Sequence, residues 1–387
     1  MTRRVVAVAT HPIQYHAPWF RGLAQRPELD FEVSFLEIPD AVSQGRGFGV
    51  AFSWDVPLRD GYRSRIVAAK RLLGGHGFLG KWLRSPRTLV RALRPDVLLL
   101  TGWQCLPLVQ LLIAARQLRV PVVMRGESND LSPRSPLARW LHRRLLPRVS
   151  GFLVIGKANR AFYQACGIRD DRLYDAPYFV DNEAFAEAAE VWRSQRTEIR
   201  AGLGIPLDAV CFLFAGKFDA RKRPLDLIEA IERVKRARPH LAIHALMVGA
   251  GLLDAALRQR VARDQLPIHF TGFLNQGEIS RAYVAADALV LPSDFEPWGL
   301  VVNEGMACGL PAIVSDRVGC APDLVESGVT GEVFPFAYVT ALAESLARLA
   351  DDPVQLKRMG RNAEVLVRGR YTVERSVDAV VRAVAAV

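Results

Sequence analysis

Two periodicities alternate along this chain. Short runs rich in Val, Leu, Ile and Phe at Val5–Thr10, Phe31–Leu36, Asp96–Thr101, Val120–Arg125 and Phe152–Ile155 predict strands. Helical spacing of apolar positions separates them, at Ala17–Gln25, Leu106–Gln117 and Ala158–Gly167. Strands that are apolar throughout are buried on both faces, which argues for a parallel sheet covered by helices on either side. The strand rhythm stops around Val180–Ala188, and a charged helix, Val191–Leu203, runs into Gly204-Ile205-Pro206. A second series follows, with strands at Val210–Ala215, Ala242–Val248, Ile268–Thr271, Ala288–Leu291 and Ala312–Ser315. Its helices are predicted at Leu225–Arg236, Leu252–Arg263 and Glu278–Ala286, and Val354–Val367 and Val373–Val387 close the chain. The pattern predicts two doubly wound α/β domains, residues 1–185 and 186–371, with a last helix over 372–387 packing back on the first. One long stretch, Asp40–Gly80, is rich in Gly and aromatic residues and has little periodicity, which marks it as a pocket-shaping or mobile segment.

The most informative stretch is LVLPSDFEPWGLVVNEGMACGLP, Leu289–Pro311. An apolar strand breaks at Pro292-Ser293-Asp294, helical spacing resumes after Gly299, and Gly309-Leu310-Pro311 carries the stop signal of a helix. Such a strand–loop–helix unit aims the amides and positive dipole of a helix start out of the carboxyl edge of a sheet, where open α/β sheets bind anions. Two carboxylates frame it: Glu296 at the mouth, and Glu304 on the helix, placed to accept hydrogen bonds from a ligand's hydroxyl pair. Taken singly, Glu296 also reads as a first-turn carboxylate favoured by the macrodipole and Glu304 as a solvated side chain.

Only seven of the 51 basic Lys and Arg residues are lysines, yet Lys217 and Lys222 fall five apart at the carboxyl end of the strand Val210–Ala215. A compact ammonium on a flexible stem suits a phosphate oxygen, although a solvated basic turn before Pro224 has the same composition. The turn Val248-Gly249-Ala250-Gly251 reads as a strand-to-helix bend. In the first half, His11-Pro12-Ile13-Gln14-Tyr15-His16 follows the first strand, and Arg125-Gly126-Glu127-Ser128-Asn129-Asp130 follows Val123-Met124. Both sit at a carboxyl edge, where His11, His16, Arg125, Glu127 and Asn129 are ligand candidates. The histidines serve equally as a helix cap and a core residue.

The 387 residues suffice for two cores, and 50% are hydrophobic. No apolar run reaches the length of a membrane span and the N-terminus reads as a strand, so a cytoplasmic protein is expected. Five cysteines without a CxxC pair or a histidine at zinc spacing read as reduced thiols, and no metal cluster is visible. The net charge of +11 is mostly arginine spread over helices. It is denser in two expected helices, Lys81–Arg87 and Arg139–Leu146, which combine Arg with Trp and Leu. These read as outer helices snorkelling over a core, or as helices that rest on anionic lipid at the inner face of a membrane.

From Gly216 to Phe334 the chain resembles the retaining glycosyltransferases of family four, which have the GT-B fold of two facing Rossmann-like domains with a cleft between them. The resemblance rests on Gly216-Lys217 with Lys222 five residues on, FTGFLNQGEISRAYVAADALVLPS, FEPWGLVVNEGMACGLPAIVSD, and GVTGEVF at Gly328–Phe334. It implies transfer of a hexose from a nucleotide-diphosphate sugar to a hydroxyl acceptor, with neither cofactor nor metal in catalysis. Lys217 and Lys222 would hold the diphosphate and neutralise the leaving group, and Glu296 would contact the donor sugar near its reacting carbon. Glu304 would hold the ribose hydroxyls, Gly299, Leu300 and Val301 would offer amides, and the backbone around Phe273 and Leu274 would read the base. Pro297 and Trp298 lie in the same donor-binding motif.

The first half resembles the family less closely. HPIQYH, with His11, Gln14 and His16, stands where the family has a glycine pair, and Glu127 stands where it has a histidine. With Arg125 and Asn129 these are the acceptor-side candidates. A nucleotide-sugar 2-epimerase on the same fold is the enzymatic alternative. A non-enzymatic protein binding polyanions or anionic membrane is the other, and nucleic acid is disfavoured because the basic residues follow no single stripe.

Overall fold

The computed structural model describes residues 2–67, 69–71 and 77–387. Its residues fall into two compact units: Met1–Pro39, Pro57–Tyr178 and Val373–Val387 form one, and Asp40–Val56 with Phe179–Thr372 form the other. The division therefore falls at Tyr178/Phe179 rather than at 185/186.

In the first unit the strands are β1 (Arg3–Ala9), β2 (Leu29–Phe35), β3 (Ser64–Ile66), β4 (Lys70–Arg71), β5 (Lys81–Trp82), β6 (Val97–Leu100), β7 (Val122–Met124), β8 (Gly151–Val154) and β9 (Leu173–Asp175). Seven form one sheet in the order β3-β2-β1-β6-β7-β8-β9, with every pairing parallel, while β4 and β5 make a small antiparallel ribbon. Register follows burial: Val6 lies opposite Leu98 and Val8 opposite Leu100, and all four side chains belong to one core with Leu108, Leu112, Met124 and Phe152. Each such side chain, fully buried, contributes about 1.5–3 kcal/mol. The helix Val373–Ala385 packs here: Arg26 pairs with Asp378 at 3.0 Å, and Arg3 donates to the Val387 carbonyl at 2.6 Å.

The second unit holds β10 (Val210–Ala215), β11 (Ile243–Val248), β12 (Ile268–Gly272), β13 (Ala288–Leu291), β14 (Ala312–Ser315) and β15 (Gly331–Phe334), all parallel, in the order β12-β11-β10-β13-β14-β15. This is the dinucleotide-fold order, in which the winding direction reverses between β10 and β13 and leaves a crevice at their carboxyl ends. The helix Leu300–Ala307 after β13 ends as its sequence predicts. Gly309 is left-handed (φ 86°), its amide donates to Met306, and the Leu310 amide donates to Gly305.

Several expectations change. The charged helix is two helices, Asn182–Arg193 and Arg196–Leu203, broken at Ser194-Gln195. A helix over Val339–Asp351 was not predicted; it packs Leu342, Leu346 and Leu349 into the second core. Lys81-Trp82 is strand rather than helix, because its helix starts only at Pro86, a first-turn proline. The helix Pro136–Leu145 buries none of its residues and leaves Leu137, Trp140 and Leu141 exposed. Within Asp40–Gly80, residues 68 and 72–76 lie outside the described residues, 64–66 extend the first sheet, and 40–56 pack on the second unit.

Candidate active site

The reversal point of the second sheet gathers the expected donor-site residues. The loop after β10 carries Lys217 and Lys222, and the loop after β13 carries Glu296. The Asp294 amide donates to the Arg221 carbonyl at 2.8 Å, which ties the two loops together, and Asp219 turns the first by accepting from the Lys222 amide at 2.9 Å. As a result the Lys222 ammonium nitrogen lies 2.5 Å from Oε1 of Glu296, whose residue is only 5% exposed. The Gly249 segment is more than a bend: a Cβ on Gly249 would stand 1.9 Å from the Gly216 carbonyl, so the lysine loop rests directly on it.

Glu296 is fixed from its other side by the loop after β14. Its amide donates to Arg317 and its carbonyl accepts from Gly319 at 3.1 Å, while Cys320 donates to the Trp298 carbonyl. A Cβ on Gly319 would meet the Pro297 carbonyl at 2.1 Å, so only glycine lets the loops cross this closely. Gly299 caps the helix Leu300–Ala307 and its carbonyl accepts from the Val302 amide at 2.9 Å, which leaves Leu300 and Val301 at the opening of a helix start, the kind of position that suits an anion.

Trp298, expected in the donor site, is instead buried. Its side chain is 2% exposed, donates to Asn303 Oδ1 at 2.7 Å and packs 6.1 Å from the Tyr371 ring, so it serves the core and leaves at most its backbone to a ligand. Glu304 is buried rather than solvated, and Tyr283 donates a 2.5 Å hydrogen bond to its Oε2. Lys217 points to the segment Asp40–Val56, where it donates to the Arg46 carbonyl at 3.1 Å; burial lowers its ammonium below the usual lysine value. Phe273 and Leu274 are half-buried after β12, and the Phe273 ring borders the same segment.

The first unit holds the remaining candidates at the carboxyl edge of its own sheet. His11 lies with Nδ1 3.0 Å from the Thr10 hydroxyl, and burial lowers its imidazole. Gln14 is half-buried in the turn before the helix His16–Ala24. His16 is a core residue packed against Trp19 and Phe20, and burial, reinforced by Arg125, pushes it well below the ordinary histidine value. The Arg125 guanidinium is sandwiched 4.6 Å from the Trp19 ring and 4.3 Å from the Tyr178 ring. Tyr178 in turn donates to the Glu127 carboxylate. Asn129 is fully buried and its side-chain oxygen accepts from the Leu131 amide.

This loop is held by residues that sequence reasoning passed over. Asn159 donates to the Gly126 and Ser128 carbonyls at 3.1 and 2.7 Å, and the Tyr163 phenol accepts from the Gly126 amide. Asn159 sits on the buried stripe of its helix with Phe162 and Tyr163, and a lone amide on an apolar stripe is the signal that would have found it.

Two Rossmann-type sheets, the second with two lysines and a helix start at its reversal point, make up the GT-B fold class. Residues 195–365 match the family described as "Glycosyl transferases group 1" and residues 13–174 that described as "Glycosyl transferase 4-like domain". The chain belongs to this glycosyltransferase family. It is 34% identical over 219 residues to a D-inositol 3-phosphate glycosyltransferase of Saccharomonospora viridis, covering 54% of this chain and 50% of that protein. Over 249 residues it is 27% identical to alpha-D-kanosaminyltransferase of Streptomyces kanamyceticus, covering 63% of this chain and 62% of that one. The matches thus span about half to three-fifths of those relatives. Among solved structures, Anabaena HepE in complex with UDP superposes with a TM-score of 0.76 at 18% identity over 100% of both chains. Sucrose-phosphate synthase of Thermosynechococcus elongatus superposes at 0.70 and 17% identity over 98% of both.

Proposed function

We propose that this chain transfers a hexose from a nucleotide-diphosphate sugar to a hydroxyl acceptor with retention at the anomeric carbon. The observation that carries the reading is the Lys222–Glu296 contact at the reversal point, with Lys217 on the same loop and a helix start beside them. Breaking the bond between the anomeric carbon and the phosphate oxygen builds negative charge on the diphosphate and positive charge on the sugar. Lys217, Lys222 and the amides at Leu300 and Val301 stabilise the first, and the Glu296 carboxylate faces the second. The acceptor oxygen bonds to the anomeric carbon on the face the diphosphate leaves, and its proton passes to the departing phosphate oxygen. The cations of the step are lysines, and no metal is assigned to it.

The Anabaena HepE structures hold UDP and UDP-glucose, and the relatives include an inositol phosphate glycosyltransferase. Uridine nucleotide sugars and cyclitol hydroxyls are therefore the first donor and acceptor classes to try. The test is a thermal-shift screen of nucleotide sugars, followed by NMR of the product's anomeric configuration. A ligand present at 100 times its dissociation constant stabilises by about 2.7 kcal/mol. Inversion would remove the same-face step, and donor turnover without acceptor would move the reading to an epimerase.

The proposal includes peripheral contact with anionic membrane. Among the described residues no helix is long and apolar enough to cross a membrane. The helix Pro136–Leu145, however, exposes Leu137, Trp140 and Leu141 at helical spacing beside Arg139, Arg143 and Arg144, the composition of an interfacial helix.

A further inference from the structure

The segment Asp40–Val56 belongs by contact to the second unit, although the chain on both sides of it belongs to the first. It is fastened at its far end. Asn275 donates to the Ser53 carbonyl at 2.8 Å, and the Gly277 amide donates to Asp55 Oδ2 at 3.0 Å, near the start of the helix Gln276–Ala285. Phe52 lies 4.3 Å from the Phe273 ring and 5.0 Å from Trp54.

At its near end, Phe48 touches two groups with separate expected roles. Its ring centre is 5.0 Å from the Lys217 ammonium, the diphosphate cation, and also 5.0 Å from the ring of Phe273, which lies in the loop expected to read the base. A nucleoside diphosphate must span these two points, with its ribose and base between the phosphates and the reading loop. A half-buried ring that borders both ends lines that span. Gly47 makes the approach possible: it is left-handed (φ 89°), and a Cβ there would stand 3.0 Å from the Lys217 ammonium.

We infer that Phe48 is a nucleotide-binding residue, supplied by this segment, whose ring packs against the nucleoside of the donor. The inference rests on the donor-site reading above. It assigns recognition to a side chain, where the family motif leaves the base to backbone. Aromatic contact with a base has little hydrogen-bond selectivity, so Phe48 adds affinity for any nucleoside.

The test is calorimetric titration of the full chain with UDP, and with inorganic pyrophosphate, which has no nucleoside. Phe48→Ala is expected to weaken UDP about tenfold and to leave pyrophosphate within about twofold, because the Arg46 carbonyl still directs Lys217. Phe48→Tyr is expected to restore UDP binding. Equal losses for both ligands, or unchanged UDP binding, would overturn the inference. Tighter UDP binding in Phe48→Ala would overturn it too, since the segment would then be an obstruction. Failure of the wild-type chain to bind any nucleotide would instead sink the donor-site reading itself.

Discussion

Lys222 and Glu296, 74 residues apart in sequence, meet at 2.5 Å with both side chains largely out of water. In the proposed reaction each holds the other where the diphosphate and the sugar separate, so neither is expected to be replaceable alone. Glu296→Gln and Lys222→Ala are each expected to lower transfer by about a hundredfold or more, and the double variant by much less than the product of the two. Lys222→Ala also takes a cation away from a buried carboxylate and should lower the melting temperature more than Lys222→Ala/Glu296→Gln does. Steady-state kinetics and thermal melts of the three proteins check both points.

Gly319 is a second support of Glu296, donating its amide to the Glu296 carbonyl at 3.1 Å. Gly319→Ala must push the Pro297 carbonyl aside, since the new methyl would sit at 2.1 Å. A destabilisation of about 1–3 kcal/mol is expected, with a fall in turnover larger than the fall in nucleotide affinity. Unchanged turnover in a folded variant would show that the position of Glu296 is not held by this crossing.

Tyr283 donates to the buried Glu304 carboxylate. Tyr283→Phe removes a hydrogen bond to a charged group and should cost about 1.5–3 kcal/mol in denaturant unfolding. If Glu304 holds the ribose, nucleotide affinity falls as well, whereas pyrophosphate affinity does not.

His16 sets a pH dependence of stability. Burial holds its folded value well below the usual 6.5, so on acidification the unfolded chain takes up this proton first. The contribution is complete above pH ~6.5 and is lost as pH falls from there towards the folded value, with a slope of up to about 1.4 kcal/mol per pH unit. His16→Phe should flatten the acid side of a stability–pH curve. His11, His142, His244 and His269, which burial also lowers, contribute to the residual slope, as do Asp30 and Asp264, which hydrogen bonds from arginines lower.

The exposed Trp140 helix predicts binding to vesicles containing anionic phosphatidylglycerol and none to neutral phosphatidylcholine. Arg139→Glu/Arg143→Glu/Arg144→Glu should abolish that binding and leave the melting temperature unchanged, because the helix has no buried residue to lose. Sedimentation with vesicles at two salt concentrations decides it.

What was legible in sequence was what is local. β10 and β13 are apolar runs bounded by glycine and proline, and the stop at Gly309 can be read residue by residue. His16, Trp19, Phe20 and Leu23 share the buried face of one helix turn after turn, which decides for the core alternative that the sequence left open beside a cap and a ligand role for His16. β3 was missed because Ser64, Arg65 and Ile66 form a polar, largely exposed edge strand with no apolar run to betray it. The Lys222–Glu296 meeting depends on sheet order, which no local pattern encodes, and the sequence pointed to it only through family resemblance. The docking of Phe48 and Phe52 left no trace in periodicity, since aromatic residues in an irregular stretch do not name the surface they cover.

The polypeptide passes between its two units at four places, near residues 39, 56, 178 and 372. A chimera joined only at the Tyr178 junction would therefore exchange a lobe without the pieces it owns elsewhere in the chain. It would carry a foreign segment over Phe273 and a foreign terminal helix against Gly22 and Arg26. Moving the donor-side unit of this chain intact means transplanting two stretches together, Asp40–Val56 and Phe179–Thr372.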